Sequence, residues 1–456
     1  MNEDAAAASG KGGDPRMRGF KTRTSVLELT AWIVERVDAL ESEEIALCDA
    51  WDRVLAVEIT AAEPAPPFDR AAMDGYAIRS EESFGASAYT PALLRCVGRS
   101  RPGLRCEVAV GPAEAIQVAT GAPLPSGADA VIPVESTRVD DDRVMVSEAV
   151  PPGRNISRRG EDIAAGTVVL PAGRVLRPQD LGVLSAVGAA TLSVIRRPRV
   201  VALITGDELL APGTPARDFQ IPDMNSVMIA ALVARDGGLC EIVGPFPDRR
   251  STIRDAILDL QSRADLILIS GGSSAGPEDH VPGIIAELGC LIAHGVALRP
   301  ASPTGVGLIR NGELPVVLLP GNPVSCLCAY DFFAGLMVRR LGGRSGRWPY
   351  RSVTLPLARK LTSVVGRVDY ARVRVNAGLV EPLAISGASI LSSVSRADGF
   401  VVIPADLEGY PAGAAVEVWC YDEGGLIPLR WDQEFVNPSA ANRDQSIRSA
   451  HQTPEG

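Results

Sequence analysis

The sequence predicts a multidomain chain of the α/β plus β class. Its 456 residues suffice for two to four domains of roughly 100–200 residues each. Between residues 198 and 343, continuous apolar runs alternate with helical patterns, which predicts a parallel sheet covered on both faces. On either side, short apolar runs lie between turns rich in glycine and proline, and this pattern predicts small β-rich units.

The first predicted element is an amphipathic helix that begins at Ser25. Glu28 follows Ser25 at capping-box spacing, and the next apolar residues fall on one face of the helix. Residues 61–67 contain three prolines and therefore mark a domain boundary. Residues 68–150 then predict a compact β-rich unit, and residues 154–197 predict two more strands around a short helix.

The region from 198 to 344 is typical of repeated strand–helix units. Three of the four expected strands are continuous apolar runs, and these runs alternate with segments expected to be helices. The strands are expected at 200–204, 241–243, 266–269 and 316–319, and the helices at 225–235, 249–260, 281–288 and 324–341.

The remainder of the chain returns to the β pattern. Residues 345–430 predict a small terminal barrel or sandwich. The polar ends, residues 1–18 and 431–456, are expected to be disordered tails. The strands of the terminal β unit are expected at 352–357, 370–375, 401–403 and 415–419.

Composition excludes several classes of protein. A net charge of −10 argues against nucleic-acid binding, and no apolar run approaches the ~20 residues that span a bilayer. The first residues lack the apolar stretch of a signal peptide, so we expect a cytoplasmic protein. Eight scattered cysteines and three histidines argue against a zinc site. Any metal would be a hard cation held by carboxylates.

Three turns at the ends of predicted strands carry the chemistry. They are Thr205–Leu209, a glycine–serine loop at 270–276, and Pro320–Ser325, which opens a helix. Ligands of open α/β sheets bind outside the carboxyl ends of strands, where backbone amides and a helix N-terminus can hold an anion. A single such turn would be ordinary, but three along one sheet predict a phosphate or oxyanion pocket. No GxxxxGK[ST] loop occurs.

Carboxylates accompany the same strand ends. Asp207, Glu208, Asp248 and Asp279 all lie at or just after them. Beside a phosphate pocket these groups would repel the ligand unless a divalent cation lay between, so we predict a Mg²⁺-type site. An alternative for Asp248 is that it only caps the helix beginning at Arg249.

Six motifs together make the chain similar to a known family. It resembles the molybdopterin molybdenumtransferases, the MoeA-type proteins related to the carboxyl-terminal domain of gephyrin, over most of residues 25–425. The motifs are Ala72-Met73-Asp74-Gly75-Tyr76-Ala77, Thr120-Gly121-Ala122-Pro123, Arg159-Gly160-Glu161-Asp162, Thr205-Gly206-Asp207-Glu208-Leu209, the loop at 270–276, and Leu319-Pro320-Gly321-Asn322-Pro323.

The resemblance implies an elongated subunit of four domains that forms a homodimer. It also implies a reaction in which adenylylated molybdopterin and molybdate, with Mg²⁺, give molybdenum cofactor and AMP. The implied domains are a discontinuous linker (20–60 and 154–197), a β-rich insertion (61–153), a molybdopterin-binding α/β domain (198–344) and a terminal β-barrel (345–430).

The resemblance also implies roles for individual residues. The catalytic set would be Asp74, Thr120 and Asp162 of one subunit facing Glu208, Asp248 and Asp279 of the other, the last three holding the metal. A general base could be Asp279 or a metal-bound water. The substrate would contact Ser270, Gly271, Gly272, Ser273, Ser274, Gly276, Arg299, Ser302, Pro320, Gly321, Asn322 and Pro323. Implied partners are a molybdopterin adenylyltransferase and apo-molybdoenzymes, with neither nucleic acid nor membrane.

The segment 299–303 is among the places where the chain departs from the family pattern, together with the glycine loop. The family has Lys-Pro-Gly-Lys-Pro where this chain has Arg299-Pro300-Ala301-Ser302-Pro303. Ser302 therefore removes a cation from an anion site. This change motivates an alternative hypothesis, a non-catalytic paralogue that binds and delivers the pterin or its molybdenum form, or acts as a scaffold.

Overall fold

The computed structural model describes residues 23–272, 280–385 and 387–421. The chain divides into two compact units. The first combines residues 1–39 with 197–456, and the second is the continuous stretch 40–196. The two tails expected from the sequence, 1–18 and 431–456, lie outside the described residues.

The first unit is built around a six-stranded sheet. Three of its inner strands are buried on both faces, which explains why they consist of nearly continuous Val, Leu and Ile; they are Arg199–Thr205, Leu266–Ser270 and Leu314–Leu319. The strand order across the sheet is Leu239–Phe246, Arg199–Thr205, Leu266–Ser270, Leu314–Leu319, Gly305–Ile309 and Gly289–His294.

Four of these strands are parallel, as predicted. The last two, Gly305–Ile309 and Gly289–His294, run antiparallel to their neighbours and were not expected from the sequence. The sheet is therefore mixed rather than wholly parallel. Gly289 and Gly307 give the two extra strands a weak β signal, and each approaches the neighbouring backbone too closely for a side chain.

The helices of the first unit agree with their predicted positions. The first has the expected capping box, in which Ser25 accepts from the Glu28 amide and Glu28 accepts from the Ser25 amide. The helix predicted at 324–341 is continuous but contains a π-helical segment at Tyr330–Ala334, a change of register that the apolar period does not reveal. The helices are Val26–Arg36, Asn225–Arg235, Arg250–Leu260, Val281–Leu288, Pro323–Ala329 and Gly335–Leu341.

The carboxyl-terminal part of the first unit is a small β-barrel. Leu357 bridges to Val380 and thereby brings the two edges of the sheet together around an apolar core. A short helix, Ser392–Ser395, precedes its fourth long strand. The main strands are Arg351–Pro356, Val368–Asn376, Leu379–Ala384, Gly399–Ile403 and Ala415–Cys420.

The second unit contains another six-stranded sheet. Beside this sheet, short paired strands and the helix Pro178–Ala186 enclose a separate apolar core. Asp180 is a buried residue in the first turn of that helix, and hydrogen bonds from the guanidinium groups of Arg177 and Arg174 hold its pKa far below the usual range. The sheet order is Ala130–Pro133, Gly75–Ile78, Glu114–Val118, Ala92–Ser100, Arg143–Val146 and Thr137–Asp140.

In the portion of the chain that the structure describes, no helix is both long enough and apolar enough to cross a bilayer.

Candidate active site

A cavity of about 480 Å³ opens at the carboxyl-terminal edge of the first unit's sheet. The registers of the parallel strands place it there, because Ile204 lies opposite Ser270 and Ser270 lies opposite Leu319. The three predicted strand-end turns therefore meet at one place. Predicted site residues on the cavity wall are Glu208, Asp248, Ser270, Gly271, Gly272, Pro320, Gly321, Asn322 and Pro323.

The turn after the strand Leu266–Ser270 requires glycine. Gly271 has a φ of 105°, and a Cβ there would lie 2.3 Å from the carbonyl oxygen of Thr205. Gly272 also has a positive φ, 57°, and a Cβ on it would lie 2.9 Å from a Val281 methyl. A side chain at Gly271 would push the two strand ends apart and one at Gly272 would press on the helix that begins at Val281, so glycine is needed at both positions for the backbone to lie at the cavity wall. Ser273, Ser274, Gly276 and Asp279 lie outside the described residues.

Asn225 joins two of the turns and was not predicted as a site residue. Its Nδ2 donates to the Ser270 hydroxyl at 2.8 Å and to the Gly321 carbonyl at 2.8 Å. The carbonyl can only accept, so the amide orientation is settled by its partners. Asn225 is only 7% exposed and lines the cavity. The sequence predicts Asn225 only as the first residue of a helix. A polar residue shortly after the short strand Ile221–Pro222 was the one feature that could have indicated a role at the site.

Asp223 holds the start of the same helix. Its Oδ1 accepts the backbone amides of Asn225 at 2.9 Å and Ser226 at 3.2 Å. Asp223 also lines the cavity, but its hydrogen bonds to the helix start explain why a carboxylate is present at this position. Two polar atoms of other residues on the cavity wall, Asn225 Oδ1 and Thr205 Oγ1, are buried and have no hydrogen-bond partner within the described residues.

Two further carboxylates, Glu208 and Asp248, lie on the cavity wall. Glu208 is exposed and Asp248 is half-buried. The helix after Asp248 has Arg249 as its N-cap, and this residue makes no side-chain capping bond. Asp207 is exposed but does not line the cavity. The described residues contain no cluster of three or more potential metal ligands, while the third predicted ligand, Asp279, lies outside them.

The segment 299–303 lies beside the cavity. Arg299 donates through Nε and Nη2 to Asp369, a fully buried carboxylate, and the Nε distance is 2.7 Å. Ser302 accepts a hydrogen bond from Arg23 Nε at 3.0 Å. Of this segment only Pro303 lines the cavity, so the structure places Arg299 and Ser302 next to the wall rather than on it.

The other predicted catalytic residues belong to the second unit. Asp74 Oδ1 accepts the backbone amide of Thr120 at 2.7 Å and its hydroxyl at 2.9 Å. These bonds, chiefly the one from the amide, hold the pKa of Asp74 below its usual range and keep the carboxylate ionised. Asp162 is exposed, and its amide donates to the Ala65 carbonyl at 3.2 Å.

Three family models match the chain in succession. They describe the MoeA N-terminal region (domains I and II) at residues 24–188, a probable molybdopterin binding domain at 201–339, and the MoeA C-terminal region (domain IV) at 354–421. Nearly all of the cavity wall falls within the second of these regions.

Comparisons with whole proteins agree with the family models. Molybdopterin molybdenumtransferase 2 of Mycobacterium tuberculosis is 36% identical over 87% of this chain and 99% of its own. A putative molybdopterin biosynthesis protein of Methanocaldococcus jannaschii is 34% identical over 83% of this chain and 92% of its own. Two structures of a molybdopterin biosynthesis MoeA protein from Pyrococcus horikoshii have TM-scores of 0.75 and 0.73, at 30% identity, and cover 88% of this chain and 100% of that one.

Proposed function

The chain belongs to the MoeA family of molybdopterin molybdenumtransferases, and on this premise we propose that it inserts molybdenum into adenylylated molybdopterin, giving molybdenum cofactor and AMP. The observation that carries the proposal is the pair Glu208 and Asp248 on the wall of a cavity formed by three strand-end turns. Acidic groups and anion-binding turns in one cavity suit a substrate with a phosphoanhydride.

The cavity residues have separable tasks. The turns at Ser270–Gly272 and Pro320–Pro323 present backbone and hydroxyl groups that can hold the pterin and phosphate groups of the substrate. Asn225 keeps these two turns at a constant separation through its two hydrogen bonds. Such positioning keeps the reacting groups aligned without a rearrangement during the reaction.

We also propose that Mg²⁺ binds at Glu208 and Asp248. Both residues offer carboxylate oxygens, which are the ligands that this cation prefers. When bound, the ion would offset the charge that develops on phosphate oxygens as the anhydride bond breaks. The two carboxylates would otherwise repel both molybdate and the phosphate groups.

A homodimer is part of the proposal. We infer that Asp74, Thr120 and Asp162 of one copy complete the site of a second copy. In support of this role, Asp74 is held ionised and in one orientation by Thr120, although both lie on the exposed side of their turn. The protein would act in the cytoplasm, between a molybdopterin adenylyltransferase and apo-molybdoenzymes.

The experiment mixes purified protein with adenylylated molybdopterin, MgCl₂ and molybdate. We expect AMP release that depends on molybdate, together with activation of an apo-molybdoenzyme. Glu208→Gln and Asp248→Asn, which keep side-chain size but remove charge, should each abolish release. Glu241→Gln is the matched control, because Glu241 is an exposed carboxylate on the same sheet, paired with Arg263 and outside the cavity wall.

Tight binding of the pterin without AMP release would refute the transferase proposal and leave a carrier or scaffold. Full activity in both Glu208→Gln and Asp248→Asn would refute the assignment of the site.

A further inference from the structure

The cavity is short of positive charge for the substrates proposed for it. Its wall carries Glu208, Asp248 and Asp223 but, within the described residues, neither lysine nor arginine. The loop 273–279, which continues from the wall at Gly272, contains two more acids and no basic residue in its sequence. Phosphate and molybdate are both anions, and a guanidinium is the side chain best suited to hold a tetrahedral oxyanion.

Two other arginines of the first unit, Arg299 and Arg367, already pair with another group. Arg299 binds the buried Asp369 through two of its nitrogens. Arg367 approaches the same carboxylate, with its Nε 3.9 Å from Oδ1. Both cations therefore help to balance the negative charge of Asp369, which is fully buried, and Arg299 does so through direct hydrogen bonds.

Arg23 is placed differently. Its Nε donates to the Ser302 hydroxyl at 3.0 Å, and Ser302 immediately precedes Pro303, a residue of the cavity wall. The side chain is exposed and forms no ion pair within the described chain. A guanidinium held through Nε has both terminal nitrogens left to donate to a ligand.

The backbone on both sides of this contact is anchored. Thr24 donates to the Gly295 carbonyl at 2.9 Å and accepts from the Ala297 amide at 2.9 Å, which ties the segment before the first helix to the next loop. That loop is closed by the Val296 amide, which donates to the Ser302 carbonyl at 2.9 Å. Arg23 and Ser302 are thus held together by paired backbone rather than by a single side-chain bond.

We propose that Arg23 is a substrate-binding residue that holds a tetrahedral oxyanion, either molybdate or a phosphoryl group of the pterin substrate, at the mouth of the cavity. Ser302 orients its guanidinium toward that anion. This inference rests on the proposed function for the identity of the anion. It assigns the missing cation to the segment before the first helix, far from the cavity residues in sequence.

The test measures binding separately from turnover. Molybdate alone is titrated into the protein by calorimetry, and the KM for adenylylated molybdopterin is measured from AMP release. For Arg23→Ala we expect about a tenfold loss in at least one of the two, as for removal of one charge-assisted hydrogen bond. Arg36→Ala is the control, since Arg36 is an exposed arginine at the end of the following helix and should leave both values unchanged.

A rescue distinguishes charge from structure. Adding Ser302→Lys to Arg23→Ala returns a cation to the same loop and should recover most of the lost affinity, although it does not rebuild the original contact. Loss for molybdate alone would identify molybdate as the anion, and loss only in the KM would identify the phosphoryl group. Equal affinities for wild type and Arg23→Ala would overturn the inference, as would a loss that Ser302→Lys cannot recover.

Failure of the proposed function has a different signature. Molybdate binding that weakens in Arg23→Ala, in a protein that releases no AMP, would support the role of Arg23 and refute only the transferase. A wild type that neither binds molybdate nor releases AMP would overturn both.

Discussion

Replacing Asn225 by alanine tests whether the two cavity turns depend on one side chain. The substitution removes two hydrogen bonds of 2.8 Å, to Ser270 and to the Gly321 carbonyl, from a position only 7% exposed. At about 1 kcal/mol net for each bond, the loss is about 2 kcal/mol. Alanine is the better helix former at this first helical position, and this difference raises the free energy of unfolding by about 0.5 kcal/mol. We therefore expect the free energy of unfolding to fall by about 1.5 kcal/mol.

Urea denaturation followed by circular dichroism measures that change, and AMP release measures its effect on the site. We expect kcat/KM to fall about tenfold, because the turns would no longer keep a constant separation. Val227→Ala is the control, since Val227 is 55% exposed on the same helix and should change the free energy by less than about 0.5 kcal/mol. Asn225→Asp should be worse than alanine because a carboxylate would face the Gly321 carbonyl. If Asn225→Ala unfolds and turns over like wild type, the turns are held by other means and the reasoning fails.

Three further outcomes follow from the geometry. Gly271→Ala should lower the soluble yield and abolish AMP release, because its Cβ would lie 2.3 Å from a carbonyl oxygen, whereas the Cβ of Gly321→Ala would lie 4.0 Å from its nearest neighbour and this variant should melt like wild type by calorimetry. Mixing Asp74→Ala and Glu208→Ala proteins, each inactive alone, should restore about a quarter of wild-type AMP release if subunits exchange and sites are shared, and no recovery would argue against shared sites. Asp180 has a lowered pKa, so the stability that it contributes is complete at neutral pH and is lost as the pH falls through the folded-state pKa in strong acid. Asp180→Asn should cost about 2 kcal/mol at pH 7 and flatten the acid limb of a urea-denaturation series, and an unchanged limb would count against the ion pair.

Much of the first unit could be predicted because its elements have strong local patterns. The strand at Leu266–Ser270 is wholly apolar and buried on both faces, and the capping box at Ser25 marks its helix to the residue. The last two strands across the sheet, Gly289–His294 and Gly305–Ile309, could not be predicted, because Gly289 and Gly307 weaken their β pattern and allow a close backbone approach. That approach is visible only when the strands lie side by side.

The candidate site was predictable where backbone chemistry determines it. Glycines and serines at strand ends point to an anion pocket, and the cavity indeed lies where three such turns meet. The hydrogen-bond partners of individual side chains could not be predicted from the local sequence. Arg299 could be expected to face an anion in the cavity, but it binds the carboxylate of Asp369, 70 residues away. The role of Asn225 likewise depends on Ser270 and Gly321, which come near it only after the sheet has formed.

Because the chain is synthesised from its N-terminus, the two units can complete their folding at different times. The helix Val26–Arg36 packs on the helical stretch 330–341, and its apolar side chains Leu29 and Ile33 are almost fully buried there. At about 5–20 residues per second, a ribosome needs about 15–60 s to reach that stretch after making the helix. Throughout this interval the stretch 330–341 is not available to cover the apolar face of the helix. The continuous unit at residues 40–196 can meanwhile complete its own core. The inserted unit is therefore able to fold first, and the reaction cavity is completed only when Ser389 of its wall has emerged.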